Sequence, residues 1–192
     1  MDLAERIRTR RCALVYEDRP VQSDLVQELL ETAVWAPNHH LTQPWRFILV
    51  QGEGRRRIAL ARRLFAEAEA AGAGVEPEKR RQKGEAAYAV TMAVPAILVL
   101  VMAEDPRPMV RDEDLVATAC VLQNFLLLAD DRGLGVAVKT YAAGYTASFR
   151  QALGIGPGER VVADLQLGYP ARVPQPQPRM PARERLTVVE TA

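Results

Sequence analysis

Three stretches of this sequence gather side chains able to hold an anion or the polar edge of a planar ring. The first is Arg8-Thr9-Arg10-Arg11-Cys12, where three arginines sit beside a small thiol at the end of an expected helix. Arginine presents a permanently charged, bidentate fork that suits phosphate. The competing reading is a solvated basic helix end that offsets the C-terminal dipole. The second stretch is Ala36-Pro37-Asn38-His39-His40-Leu41-Thr42-Gln43-Pro44-Trp45-Arg46-Phe47. Asn38, His39, Thr42 and Gln43 supply donors and acceptors suited to a heterocycle. Trp45 and Phe47 read as core. Adjacent histidines are expected to point apart, and no Cys, His or carboxylate spacing completes a metal site.

The third stretch, Gly133-Leu134-Gly135-Val136-Ala137-Val138-Lys139-Thr140, has most of a phosphate-binding GxxxxGK[ST] loop. Val138 stands where the second glycine is required, and its side chain blocks close backbone approach to phosphate. A P-loop is therefore rejected, although Lys139 and Thr140 remain ligand candidates. The dinucleotide fingerprint lacks its third glycine. No Ser-His-Asp arrangement or GxSxG elbow is legible. Asp130-Asp131 sit at a helix end and read as solvated. The Lys79–Lys83 run has no interleaved aromatics, so it reads as an exposed helix face. In the tail, Arg179 stands out because Pro178 and Pro181 restrict the backbone on both sides.

The elements that would position these groups follow from hydrophobic periodicity. Asp2 caps a first helix with Leu3 and Ile7 on one face. Ser23 is expected to cap a second, with Leu25, Val26, Leu29, Leu30 and Ala33 as its apolar stripe, ending near Ala36-Pro37. A strand over Trp45–Val50 follows, then helices over Glu53–Ala71 and Glu78–Met92. Pro95–Ala103 is apolar on both faces, as a central strand would be. Asp112–Asp131 is a long helix, apolar almost all round and so buried on most sides. Strands over Val136–Lys139 and Val161–Leu167 flank a short helix at Thr146–Leu153. From Pro170, five prolines in twelve residues give an extended tail with no packed element.

One domain over residues 1–192, with 170–192 as the tail, fits the length, and the mixture of elements is α/β or α+β. The net charge of +1 offers nothing general to nucleic acid or an anionic membrane. The strongest apolar runs, Ala93–Ala103 and Leu115–Ala129, fall short of the roughly 20 residues of a membrane-spanning helix. Two distant cysteines and no apolar leader read as a cytoplasmic protein with free thiols. An extended tail gains little on its own surface, and the long apolar helix needs more cover than one small sheet supplies. Both features point to exchange between subunits, against the plainer reading of a surface tail and an ordinary core helix.

Taken in order, these motifs resemble the nitroreductase family. Arg10-Arg11-Cys12 followed by Arg19-Pro20-Val21 is similar to the family's Arg-Arg-Ser opening. Ala36-Pro37-Asn38 through Gln43-Pro44-Trp45 is similar to its Ala-Pro-Ser-x-x-x-x-Gln-Pro-Trp loop and strand. Val94-Pro95, the apolar helix, Gly133-Leu134-Gly135, Leu167-Gly168-Tyr169-Pro170 and the Pro- and Arg-rich tail also fit. The short chain and His39-containing loop look most like the minimal bacterial subgroup.

The resemblance implies an α+β fold with a mostly antiparallel central sheet flanked by helices. It further implies an interlocked homodimer with exchanged C-terminal tails and FMN at the interface. Arg10 and Cys12 would approach the FMN phosphate and ribityl chain, with Arg11 less direct. Trp35, Asn38, His39 and Gln43 would contact flavin, with His39 reaching that of the partner. Val138, Lys139 and Thr140 would line the ring, and Arg179 would meet the phosphate. Cys12 and Asn38 each stand where serine is usual. The implied activity passes hydride from NAD(P)H through FMN to a nitroaromatic, quinone or similar small acceptor. The alternative is an FMN store or sensor without efficient turnover.

Overall fold

A computed structural model describes residues 1–190 of the chain, so the last two residues of the expected tail lie outside the described part. Its centre is a four-stranded sheet in the order β1-β2-β4-β3. The strands are β1 (Trp45–Gln51), β2 (Ala96–Ala103), β3 (Gly135–Lys139) and β4 (Glu159–Gly168). All three pairings are antiparallel, more uniform than the mostly antiparallel sheet expected. The inner strand β2 is buried from Ala96 to Met102.

Two helical layers cover that sheet. On one face, α2 (Ser23–Ala33) and α5 (Pro108–Asp131) pack Val26, Leu29, Val121 and Phe125 against Ala96, Leu98, Leu165 and Leu167. On the other, α3 (Arg55–Gly72) and α6 (Ala147–Ala152) bring Ile58, Ala61 and Phe149 onto Ile97, Val99 and Val101. Alternate residues of β2 thus serve different cores. The fourth helix, α4 (Pro77–Met92), pairs with α3, and Arg55 donates to the Met92 and Val94 carbonyls at its end.

Helix boundaries follow local chemistry with some corrections. Asp2 caps α1 (Leu3–Thr9) by accepting from the Glu5 amide at 2.7 Å. Ser23 lies inside α2 instead, and the N-cap is Gln22, without a side-chain bond. α5 begins four residues before the expected Asp112, because Pro108 suits a first helical turn that needs no N–H. Its end turns at Gly133, whose φ of +69° a side chain would oppose. Asp130 and Asp131 are not simply solvated there: Arg6 bonds both, at 2.8 and 2.6 Å.

α5 departs further from expectation in burial. Ala117, Val121, Phe125 and Ala129 are buried, but Met109 and Val116 are exposed. α1 buries nothing, leaving Leu3 and Ile7 uncovered. The tail leaves β4 through a Tyr16–Pro170 bridge and stays exposed from residue 171 to 190, with one 3-10 turn at Ala182–Glu184.

One ion pair lies within the layers: Arg62 of α3 bonds Asp164 of β4, both almost wholly buried. Removing one partner strands the other charge. Asp164→Ala should destabilise the fold by about 3–5 kcal/mol, measured by urea unfolding.

Candidate functional site

The candidate residues fall into two groups. The first begins where α1 stops. Arg10 is its C-cap, with the amide bonded to the Arg6 carbonyl, and the chain then extends. Arg10 and Arg11 are partly buried and Cys12 is an exposed free thiol. Arg11 donates through Nη1 to the Arg10 carbonyl at 2.5 Å, but its Nε is buried with no partner. An unsatisfied buried guanidinium N–H favours an acceptor such as an anion.

The segment continues to Ala13, which packs so closely on Gly135 that a Cβ there would lie 2.7 Å from its own. Arg10–Cys12 are therefore carried beside β3, the strand holding Val138 and Lys139. Val138 leans on the core, Lys139 is partly exposed and Thr140 is exposed.

Behind that strand end stands a polar cluster that sequence reasoning missed. Lys139 lies opposite Asp164 in the β3–β4 register. Arg62 joins the Asp164 carboxylate, donates to Thr91 Oγ1 at 3.2 Å and stacks 4.3 Å from the Tyr141 ring centre. Gln166 Nε2 donates to the Tyr141 hydroxyl at 3.2 Å. Burial pushes the Asp164 carboxyl up, against the pull of Arg62 and Lys139.

The Tyr16 hydroxyl lies 2.6 Å from the Ala13 carbonyl and 3.0 Å from that of Gln166, tying the arginine segment to β4. Tyr16 also rests against Gly168, where a Cβ would lie 2.6 Å from its ring. Burial, then the Cys12 thiol, raises the Tyr16 phenol above its ordinary range. The available signal was Asp164 and Gln166 in an otherwise apolar strand, since a charge in a doubly covered strand requires a partner.

The second group is the loop between α2 and β1. His40, Leu41 and Gln43 have φ of 57°, 50° and 44°, a left-handed conformation unusual for side chains of their size. Asn38 spans the loop, accepting from the Gln43 amide at 2.7 Å and donating to Thr42 Oγ1 at 2.9 Å. Both arms of its amide are thereby engaged. His39 Nδ1 meets Glu113 Oε2 at 3.0 Å. The His39 and His40 rings stack 3.9 Å apart, where divergent side chains were expected; the left-handed turn at His40 folds the second ring onto the first. Among the described residues, no cluster could hold a metal ion. Trp35, just before this loop, is 87% exposed.

The two groups are anchored on different parts of α5. The loop rests on Glu113 and Asp114 near the start of α5, whereas α1 is anchored by Arg6 on Asp130 and Asp131 at its end. Sixteen residues at about 1.5 Å each separate these anchor points by roughly 24 Å. Arg179, in the exposed tail, bonds only the backbone of its own neighbours, Gln177 and Pro178.

Comparison with known proteins gives this arrangement its class. The nitroreductase family model matches residues 7–169, and the chain belongs to the nitroreductase family. YfhC of Bacillus subtilis (strain 168), provisionally named an NAD(P)H nitroreductase, is 34% identical over 187 residues, covering 96% of this chain and 93% of YfhC. A nitroreductase-like family protein from Bacillus cereus superimposes with a TM-score of 0.88 at 35% identity, covering 100% of this chain and 97% of that one. A nitroreductase with bound FMN from Desulfitobacterium hafniense DCB-2 shares the fold, with a TM-score of 0.68 at 22% identity and 97% of both chains covered.

Tyr16 offers a direct check on the cluster. Because folding raises its pKa, the stability it contributes is complete below the unfolded value of about 10 and falls as pH rises beyond it. Tyr16→Phe should leave the phenolate absorbance step near pH 10 unchanged and cost about 1 kcal/mol in urea unfolding.

Proposed function

We propose that this chain is an FMN-dependent NAD(P)H oxidoreductase working as a homodimer, with each flavin site built from both subunits. The observation that carries the reading is the split along α5. The loop with His39 and Gln43 is anchored near the start of α5, and the segment with Arg10, Arg11 and Cys12 follows a helix anchored at its end. A second copy joins one subunit's loop to the other's arginine segment.

That copy would pack on apolar residues the single chain leaves uncovered. Leu3 and Ile7 of α1, Trp35, Leu41, and Met109 and Val116 of α5 are all exposed. Burying each large apolar side chain contributes about 1.5–3 kcal/mol. The domain would be the whole chain, 1–192, with the tail over 170–192 reaching across so that Arg179 meets the phosphate. The proposed setting is cytoplasmic, in keeping with two unbridged cysteines.

The residues present fit FMN. Arg11, with its partnerless Nε, and Arg10 would hold the phosphate. Cys12 offers a weaker donor than a serine hydroxyl would. Val138 would give the ring an apolar wall, with Lys139 and Thr140 supplying a cation and a hydroxyl at its edge. His39 and Gln43 would enter from the second subunit, Trp35 would shield the site, and Asn38 would support the loop.

When bound, FMN supplies hydride acceptance and donation between NAD(P)H and the acceptor. The protein's own work is to hold, orient and shield. The acceptor class is a nitroaromatic, quinone or similar small molecule.

Purified protein should carry a yellow flavin spectrum that bleaches on anaerobic addition of NADH or NADPH and returns with a quinone. Yellow protein that neither reductant bleaches would identify a flavin store or sensor; colourless protein that takes up no FMN would overturn both readings. In sedimentation, wild type should run as a dimer, and Val116→Glu should shift it towards monomer and lower the bound flavin by about tenfold or more, as expected for burying an unpaired charge.

A further inference from the structure

We propose that Asp114 is a positioning residue that sets the 38–43 loop in its cofactor-ready shape before any cofactor arrives. This rests on the flavin reading above. Asp114 lies in the buried face of α5, only 5% exposed. Its Oδ1 accepts from Thr42 Oγ1 at 2.5 Å. Thr42 Oγ1 accepts in turn from Asn38 Nδ2, and Asn38 Oδ1 accepts from the Gln43 amide. One buried carboxylate thus anchors a relay of three hydrogen bonds that ends on the backbone of Gln43.

The loop needs such an anchor. Left-handed backbone at His40, Leu41 and Gln43 is unfavourable for residues with a Cβ and persists only where surrounding contacts impose it. Such strain concentrates where side chains must be held in a particular direction. Here the strained residues adjoin or include His39 and Gln43. The preceding residue of α5, Glu113, meets His39 Nδ1, and neutral histidine donating there would leave Nε2 as its acceptor nitrogen. Adjacent carboxylates on one rigid helix therefore fix the loop at both His39 and Thr42. Preorganisation of this kind removes an ordering cost from ligand binding.

The test separates the relay from the cofactor. Amide hydrogen exchange over residues 38–43 is measured on flavin-free protein, and FMN affinity by titration, for wild type, Thr42→Val, Thr42→Ser and Asp114→Ala. Thr42→Val should speed exchange at Gln43 and weaken FMN binding, each by roughly tenfold, the scale of a lost bond to a charged group. Asp114→Ala should do the same, while Thr42→Ser, which keeps the hydroxyl, restores both towards wild type. Unchanged exchange in Thr42→Val overturns the relay. Faster exchange with undiminished FMN affinity overturns the positioning role, as does a serine variant as weak as the valine. Wild type that takes up no FMN overturns the flavin reading and this role with it, whereas a failure confined to the variants leaves the flavin reading intact.

Discussion

Strand β2 is apolar on both faces and paired along both edges, so it can exist only between two helical layers. From that constraint the rest of the architecture follows. Ala96 and Leu98 look towards α2 and α5, while Ile97, Val99 and Val101 look towards α3 and α6. The layers are held apart by the thickness of the sheet, and the loops that join them emerge at its edges and ends. The candidate ligand residues occupy these margins: the arginine segment beside β3, the 38–43 loop ahead of β1.

α5 acts as a spacer between them. One face is drawn into the core by Val121, Phe125 and Ala129; the other keeps Met109 and Val116 uncovered. Its apolar surface is thus covered in part, with the uncovered residues towards its start. The exposed apolar residues and the spacing of the two anchor points both lie along this one helix. Membership of the nitroreductase family accords with this geometry.

Much of the arrangement was legible in the residue pattern. The apolar run at 95–103 suited a central strand, the prolines after 170 suited an extended tail, and the Gln43-Pro44-Trp45 block with Arg10-Arg11 upstream carried the family resemblance. Less legible was anything depending on partners distant in sequence. Asp164, within the expected Val161–Leu167 strand, has no partner legible in the sequence until Arg62, 102 residues away, is seen against it. Asp130 and Asp131 look solvated until Arg6 is placed. Asn38 reads as a donor to a ligand until its amide is found spanning its own loop.

Periodicity and motif order thus indicated the elements and marked residues such as Arg11 and His39 as candidates, because those properties depend on neighbours within a few positions along the chain. Only tertiary structure decided which of them share a place. It set the arginines against β3, stacked His39 on His40, and put Asp114 under Thr42, because packing distances between elements are fixed by side chains meeting across the sheet and along α5. The same three stretches that first suggested an anion and a planar ring remain the candidate site. What changed is that the loop and the arginine segment are anchored near opposite ends of one helix.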